Sequence, residues 1–444
     1  MARSLPIAPE EGAASRRRAL PLLGAARPVD RASRPLYAVW EITLRCDLSC
    51  HHCGSRAGKP RQDELTTEEA LRLVDDMATL GVTEVSLIGG EVYLRDDWAK
   101  IAERVVSRGM TCGIVTGGRG FTRERARIAV DAGVSGVSVS IDGHPPEHDA
   151  LRGLAGSHAR ARLALENLAA EGMPRAVNTQ INRKNLATIP GFFETLLPLG
   201  IYGWQVQFTV AMGRAADHPE VLLQPHDMLE LLPMLASLKP RCEAEGIRLW
   251  PGNNIGYFGP LESVFRGRMH KGHAEPCTAG KTTLGIEANG DIKGCPSLPS
   301  ADYVGGNVRE HSLQDIWERA EALRFTRERP RTELWGHCAT CYYAENCMGG
   351  CTWTSHVLFA RRGNNPYCHH RALELLERGL RERLVLVERA EGVPFDHGEF
   401  ELIEEPWPED ELRATLARSE ALVEQARSSQ DSLLRSSSQA RPGT

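Results

Sequence analysis

Three cysteines lie close together near the start of the chain, in the segment RCDLSCHHCGS. They are Cys46, Cys50 and Cys53, with the spacing C-x3-C-x2-C. Clustered thiolates are soft ligands that suit zinc and iron–sulfur clusters. A closed tetrahedral site needs four ligands, so the rest of the chain must supply a fourth ligand or explain its absence.

A second group of cysteines lies between residues 277 and 368. The group has seven members, where even scatter of the chain's twelve cysteines would place about 2.5. They are Cys277, Cys295, Cys338, Cys341, Cys347, Cys351 and Cys368. Of the two cysteines left over, Cys112 lies in an apolar strand-like segment that favours core packing.

The N-terminus does not resemble an export signal, because the apolar run after Arg18 is short and contains Pro21. We therefore expect a cytoplasmic protein in a reducing compartment. Clustered cysteines there bind metal or do redox chemistry more often than they form disulfides.

The composition is that of a globular protein of two to three domains: 444 residues, 41% hydrophobic, 25% charged. The net charge of −5 provides no basic field for nucleic acid or an acidic membrane. An uncharged run over 195–213 contains Pro198, Gly200 and Gly203, and its second half alternates apolar and polar residues. That period predicts a strand rather than a membrane span.

Strand-like and helix-like segments alternate from residue 36 to 215. The first helix-like segment begins at Thr66, which forms a capping-box pattern with Glu69. The others lie near 96–108, 121–132, 158–171 and 187–198. The strand-like segments are 37–44, 85–88, 112–115, 137–141, 177–181 and 204–209. Six such units predict an α/β fold with a parallel sheet, a partial (β/α)6 TIM-like barrel. In such folds, chemistry occurs at the carboxyl ends of the strands.

Distinctive residues follow the predicted strands at that edge. Cys46 follows the first strand, Gly89-Gly90-Glu91 the second and Thr116-Gly117-Gly118 the third, and Ser140 and Asp142 end the fourth. Taken alone, the two glycines are typical of a plain turn, and Glu91 of a solvated loop acid.

A C-x3-C-x2-C loop directly after the first strand of a βα series resembles the radical S-adenosylmethionine (radical SAM) superfamily. The resemblance implies that the three cysteines hold a [4Fe–4S] cluster, whose fourth iron binds S-adenosylmethionine. Reductive cleavage of that cofactor yields a 5′-deoxyadenosyl radical, which abstracts hydrogen from the substrate. A zinc site on the same thiols is the alternative.

The resemblance also suggests cofactor contacts. Gly89, Gly90 and Glu91 match the family's GGE motif, in which the glycines admit the methionyl group and the acid accepts from its ammonium. Val92 replaces the commoner proline. His52 occupies a position that often packs near the adenine, and Ser140 one that often contacts the cofactor. Thr116 precedes Gly-Gly rather than Asn-Gly, so its position is not assigned.

The second cysteine group, C-x12-G-x4-C, C-x2-C-x5-C-x3-C and a final cysteine, resembles the SPASM extension of these enzymes, which binds two auxiliary [4Fe–4S] clusters. The family's crossed arrangement implies one set of four, Cys338, Cys341, Cys347 and Cys368, and one set of three, Cys277, Cys295 and Cys351. The fourth site of the smaller set is open or filled by another group. His337, His369 and His370 are near in sequence, but ordinary surface or core histidines are the commoner case. Two zinc sites are the alternative.

SPASM proteins mostly modify peptides or proteins, and some relatives act on porphyrins. We therefore expect a maturase that modifies a peptide or protein side chain, with a flavodoxin- or ferredoxin-like electron donor and a separate peptide-recognition protein as partners. Pro296 follows Cys295 where sulfatase-maturing members carry an aspartate, which argues against formylglycine formation. The same chemistry on a porphyrin or quinone precursor, or a non-catalytic iron–sulfur or zinc protein, remains an alternative.

These expectations divide the chain into five segments. They are a disordered basic segment (1–35), the radical SAM core (36–215), a connecting helix and loop (216–276), the SPASM auxiliary-cluster domain (277–370), and C-terminal helices with a disordered tail (371–444).

Overall fold

The structure is a computed structural model that describes residues 22, 24–255, 258–266, 277–422 and 424. The basic leader and the serine-rich tail of the sequence therefore lie outside the described residues. All twelve cysteines are described, and all have free thiols.

A ten-stranded sheet with the order β10-β9-β8-β1-β2-β3-β4-β5-β6-β7 forms the centre of the fold. Strands β1 to β7 are mutually parallel, and β8 pairs in parallel with β1. The strands are β1 Tyr37–Glu41, β2 Glu84–Ile88, β3 Thr111–Thr116, β4 Gly136–Ser140, β5 Arg175–Ile181, β6 Gly203–Phe208, β7 Arg248–Pro251, β8 Thr283–Ile286, β9 Asp291–Lys293 and β10 Gly306–Asn307. The six predicted parallel strands and the partial barrel are confirmed.

The sheet is longer than predicted at both ends. Strand β7 continues it beyond β6, within the segment expected to hold only a connecting helix and loop. Four residues are too few to show a clear period in the sequence. At the other end, β8 and β9 form a hairpin whose turn contains Gly290 at φ +88°, and β10 pairs with β9. The cysteine-rich region thus begins as part of the same sheet.

Helices connect most of the strands. The capping box is confirmed, since the Thr66 hydroxyl accepts from the Glu69 amide and the Glu69 carboxylate from the Thr66 amide. The helices are α1 Pro28–Ala32, α2 Thr67–Leu80, α3 Trp98–Ser107, α4 Arg123–Asp131, α5 Pro145–Arg152, α6 Ser157–Ala170, α7 Ile189–Leu196, α8 Arg214–Asp217, α9 Met228–Ala244, α10 Glu262–Arg266, α11 Ser300–Tyr303, α12 Leu313–Arg319, α13 Glu321–Arg324, α14 His337–Thr340, α15 Ala344–Cys347, α16 Thr352–Phe359 and α17 His369–Glu377. Residues 409–422 are also helical.

Burial alternates along the central strands, which separates the two faces of the sheet. Val85 and Leu87 on β2, and Val137 and Val139 on β4, are fully buried in the main apolar core. Serines occupy the alternate positions and are less buried: Ser86, Ser138 and Ser140. Because successive side chains of a strand point to opposite faces, one face packs in the core while the other carries polar groups.

The last part of the expected N-terminal disordered segment is folded. Helix α1 carries Asp30, whose side chain is fully buried and forms ion pairs with Arg27, Arg324 and Arg327. Burial opposes ionisation of Asp30, but the hydrogen bonds from Arg27 and Arg327 prevail and lower its pKa to about 2. A distant pair of arginines thus holds this segment, and the local sequence contains no sign of that contact.

The C-terminal region was expected to be helical, but it also contains strands. After α17 the chain forms a two-stranded antiparallel sheet, β11 Leu380–Glu388 and β12 Glu399–Pro406. Strand β11 is rich in Leu, Arg and Glu, which favour helix, so pairing with β12 overrides local preference. Within the described ranges, no helix has the length and apolarity to cross a membrane. The uncharged run over 195–213 contains β6, as its period predicted.

Candidate functional site

The loop after β1 brings Cys46, Cys50 and Cys53 together. It closes on itself, because the Cys46 amide donates to the Gly58 carbonyl and the Gly58 amide donates to the Leu44 carbonyl, both over 2.9 Å. Burial raises the pKa of Cys46 to about 12, and the charges of Glu91, Cys50 and Cys53 also raise it.

Two arginines that sequence reasoning missed support this loop. The Arg214 guanidinium donates to the Cys50 carbonyl over 2.7 Å and to the Ala57 carbonyl over 3.1 Å. The buried Arg152 lies 3.7 Å from the Cys50 sulfur, where its charge favours the thiolate. Both arginines lie far from the loop in sequence, so no local pattern marks them.

His52 and Asp142 belong to the same buried network. The Asp142 carboxylate lies 2.7 Å from Arg152 Nη2 and 3.3 Å from His52 Nε2, and the His52 and Asp142 side chains are almost fully inaccessible. Burial opposes ionisation of Asp142, but the charges of Arg152 and His52 hold its pKa well below the usual range. The structure therefore places His52 against Asp142, and its contact with an adenine stays a prediction. Ser140, the last residue of β4, lies at the same edge of the sheet.

The Gly89-Gly90-Glu91 loop is hydrogen-bonded to the cysteine loop. The Gly90 amide donates to the Thr43 carbonyl over 2.9 Å, and the Glu91 amide donates to the Arg45 carbonyl over 2.8 Å. A Cβ atom at Gly90 would overlap the Arg45 carbonyl and lie 2.7 Å from Cys46 Cβ. Glycine is therefore required at this position by the close approach of the two loops.

Glu91 is buried and not a solvated loop acid. The Thr116 hydroxyl donates to Glu91 Oε2, and the Gly117 amide donates to Glu91 Oε1, each over 2.6 Å. Burial raises the Glu91 pKa to about 7, although both hydrogen bonds favour the carboxylate. Thr116 was not assigned from the sequence, because its neighbours depart from the family motif. The signal in the sequence was its position at the end of β3, because the end of a strand that neighbours β2 lies beside the loop that carries Glu91.

Cys277, Cys295 and Cys351 form a second group. Burial raises the Cys295 pKa to about 12, and the charges of Cys277 and Cys351 also raise it. Tyr303 and Phe325 pack beside Cys277 and Cys295. The three thiols that were expected to share one set are thus neighbours in space.

Cys338, Cys341, Cys347 and Cys368 form a third group. Burial raises the Cys368 pKa to about 12, and the charges of Cys338 and Cys341 also raise it. Burial and the charges of Cys368, Cys338 and Cys341 raise the Cys347 pKa well above the usual value of a thiol. The four thiols that the resemblance assigns to one set thus act on one another, while Cys347 and Cys351 both pack in an apolar cluster with Phe258; the division into two ligand sets stays a prediction.

The histidines near these cysteines have other neighbours. His337 Nε2 and His370 Nε2 lie 3.2 and 3.4 Å from the two oxygens of Glu374. The Glu374 charge acts on Cys341, a member of the group of four. His337 and His370 thus lie on the side of the four-cysteine group rather than that of the three-cysteine group.

The three thiol groups fit iron–sulfur clusters. Burial of a thiol without a neighbouring metal disfavours its charged form, as the raised pKa values of most of these cysteines show. Bound iron reverses that preference, because a coordinating thiol is deprotonated. Each group thus supplies donors whose charge a metal cluster would compensate.

Two family models match the chain. The model described as the radical SAM superfamily matches residues 40–184, and the one described as an iron–sulfur cluster-binding domain, SPASM, matches residues 277–342. The AdoMet-dependent heme synthase of Methanosarcina barkeri is 30% identical over 76% of this chain and 97% of its own length. The mycofactocin maturase MftC of Mycobacterium ulcerans is 31% identical over 71% of this chain and 83% of its own length.

The fold of the chain is also similar to that of a solved structure. Streptococcus suis SuiB bound to the precursor peptide SuiA covers 72% of each chain with a TM-score of 0.58, at 18% identity.

Proposed function

Since the chain belongs to the radical SAM superfamily and carries a SPASM domain, we propose that it is a maturase that modifies a peptide or protein side chain by hydrogen abstraction. It is an enzyme whose cofactors are [4Fe–4S] clusters and S-adenosylmethionine. The observation that carries the radical chemistry in this proposal is the contact of the Cys46 loop with the Glu91 loop, which joins three thiols to a buried carboxylate.

Cys46, Cys50 and Cys53 hold the first cluster in this proposal. When bound, the cluster supplies the electron that cleaves S-adenosylmethionine to a 5′-deoxyadenosyl radical. Arg152 compensates thiolate charge at Cys50. Arg214 holds the loop through the Cys50 carbonyl.

Glu91 receives the cofactor's ammonium group. Its two oxygens are oriented by Thr116 and Gly117, and each oxygen keeps a lone pair for a further donor. Gly89 and Gly90 let this loop pack directly against the backbone of Thr43 and Arg45, which brings Glu91 beside the cysteine loop. Charge-assisted hydrogen bonds to a buried carboxylate are stronger than neutral ones, so this contact orients the cofactor.

The other two thiol groups hold auxiliary clusters. Cys338, Cys341, Cys347 and Cys368 provide the four ligands of a closed cluster. Cys277, Cys295 and Cys351 provide three ligands of another, which leaves one position for a further group or the substrate.

A peptide substrate is supported by the likeness to mycofactocin maturase and by a fold shared with an enzyme that binds a precursor peptide. A small-molecule substrate, such as a porphyrin, is the second candidate. It is favoured by the likeness to the AdoMet-dependent heme synthase, because the match covers 97% of that protein at 30% identity, close to the 31% found for the maturase.

The first test measures the chemistry common to both candidates. Reconstituted protein with reductant and S-adenosylmethionine should release 5′-deoxyadenosine, whereas Cys46→Ala should not. Iron content should approach about twelve per chain for three [4Fe–4S] clusters. Two or three zinc ions without iron would instead indicate a structural metal protein.

The second test separates the substrates. Peptides encoded beside the gene and an iron porphyrin are incubated with the active enzyme, and mass spectrometry follows each product. A mass change in a peptide supports the maturase. A change in the porphyrin alone would exclude it and establish the second candidate.

A further inference from the structure

Two histidines and a carboxylate converge outside the three cysteine groups. One ligand atom each from Asp302, His356 and His397 lies within 4.8 Å of the other two. They come from three separate elements: helix α11, helix α16, and the turn that precedes β12. We propose that Asp302, His356 and His397 form a binding site for a divalent transition-metal ion of the zinc class, which fastens the C-terminal hairpin to the cysteine-rich domain.

Both ring nitrogens of His356 have a polar neighbour. Its Nδ1 lies 3.0 Å from the hydroxyl of Tyr303, a buried residue, and its Nε2 lies 3.1 Å from Asp302 Oδ2. Because a carboxylate can only accept, Nε2 donates to Asp302 here; a metal bound at Nε2 would replace that hydrogen, and Nδ1 would then donate to the Tyr303 oxygen. Ligating histidines characteristically donate their second nitrogen to such a partner.

His397 is oriented in the same way. Its Nδ1 lies 2.8 Å from the Gly398 carbonyl, which can only accept. Its Nδ1 therefore carries the proton, and Nε2 is the free ligand atom. The two imidazole rings lie nearly perpendicular, with centroids 5.4 Å apart. In each ring Nδ1 has a hydrogen-bond partner, so Nε2 is the candidate ligand atom.

The carboxylate side of the site is open. The Asp302 side chain is 48% exposed, and Asp302 and His356 line a surface cavity of about 530 Å³. Two imidazoles and one carboxylate with an open position match the ligands of zinc sites that retain a water molecule. Zinc is bound by these nitrogen and oxygen donors, whereas the soft thiol groups suit the clusters.

The hairpin turn also contacts the first cysteine loop. Asp396 forms an ion pair of 2.6 Å with Arg56, which lies three residues after Cys53, and the Gly213 amide donates to the Asp396 carbonyl over 2.8 Å. The neighbouring Phe395 is buried although its φ is +60°, a strained value for a residue with a side chain. A metal at His397 would offset that strain and hold the turn against both domains.

The experiment uses the reconstituted holoenzyme with its iron content measured. Zinc is added, the protein is dialysed against a weak chelator, and bound zinc is counted by mass spectrometry. We expect about one retained zinc per chain, and a decrease in affinity of at least about tenfold in His397→Ala and in Asp302→Asn. The matched control His311→Ala removes an exposed histidine and should retain the zinc.

X-ray absorption at the zinc edge identifies the ligands. The proposal requires nitrogen and oxygen neighbours near about 2.0–2.1 Å and no sulfur shell near about 2.3 Å. A sulfur shell would place the zinc in cysteine sites and overturn it. Equal zinc retention by His397→Ala and the wild type, with unchanged iron, would overturn it as well.

Proteolysis supplies a second readout in case a variant folds poorly. Arg389 is exposed between β11 and the turn. Zinc should slow tryptic cleavage after Arg389 in the wild type and in His311→Ala, but not in Asp302→Asn. Cleavage that is unaffected by zinc in the wild type would contradict a metal that fastens the hairpin.

Discussion

Replacing Thr116 by valine tests whether the buried carboxylate of Glu91 is the anchor of the cofactor. The Thr116 hydroxyl donates to Glu91 Oε2 over 2.6 Å and accepts from the Gly118 amide over 3.0 Å. Valine has nearly the same shape but removes both bonds. The Glu91 carboxylate then keeps only the Gly117 amide among these partners.

The expected loss follows from the charge on Glu91. A hydrogen bond to a charged group contributes about 1.5–3 kcal/mol. Because the bond is present before the cofactor binds, this value sets the upper limit of the effect, so the S-adenosylmethionine affinity should fall by up to about 150-fold at tenfold for each 1.4 kcal/mol. Thr116→Ser restores the hydroxyl and should stay within about threefold of the wild type, since it keeps both bonds.

Equilibrium dialysis of labelled S-adenosylmethionine against reconstituted protein measures this affinity directly. Thr111→Val is the matched control, because it lies at the start of the same strand and its exposed hydroxyl donates only to the Thr83 carbonyl. If Thr116→Val binds the cofactor as tightly as the wild type at equal iron content, the Thr116 hydrogen bond to Glu91 does not contribute to cofactor binding.

Three further changes test the loops, the auxiliary thiols and the N-terminal helix. Gly90→Ala should reduce both iron content and 5′-deoxyadenosine formation severely, because its Cβ would lie 2.7 Å from Cys46 Cβ, whereas Gly58→Ala, with nothing within 4 Å, should retain both. Cys338→Ala should lose about four irons per chain yet still bind S-adenosylmethionine, since its group is separate from the first loop. Asp30→Asn should lower the free energy of unfolding by about 3 kcal/mol, because it leaves buried arginines unpaired. Asp315→Asn, at an exposed pair, should cost less than about 0.5 kcal/mol by chemical denaturation.

The parallel sheet could be predicted because its information is local. Alternating segments, a capping box and short apolar strands each occur within a few residues. The cysteine groups could also be assigned, because their spacing is specific to a family. Glu91, Gly90 and the three thiols of the first loop were therefore named before their contacts were known.

The contacts that hold these residues could not be predicted in the same way. Thr116 reaches Glu91 only because β3 pairs with β2 in one particular register. Arg214 and Arg152 approach the first loop from distant helices. Asp30 is buried by arginines nearly three hundred residues away. Each of these depends on tertiary pairing, which a local window of the sequence does not contain.

A left-handed backbone turn lies between Cys347 and Cys351 and interrupts the helix that would otherwise join them. Four residues apart on a continuous helix, the two thiols would face the same side. Instead, Met348, Gly349 and Gly350 adopt φ values of +51°, +75° and +64°, so three consecutive residues are left-handed. A Cβ at Gly349 would lie 3.0 Å from the backbone of Gly363. Helix α15 therefore ends at Cys347, and Cys351 lies beyond the turn, where it interacts with Cys277 and Cys295. The Gly-Gly pair, together with the cysteine spacing, thus determines where these two thiols lie.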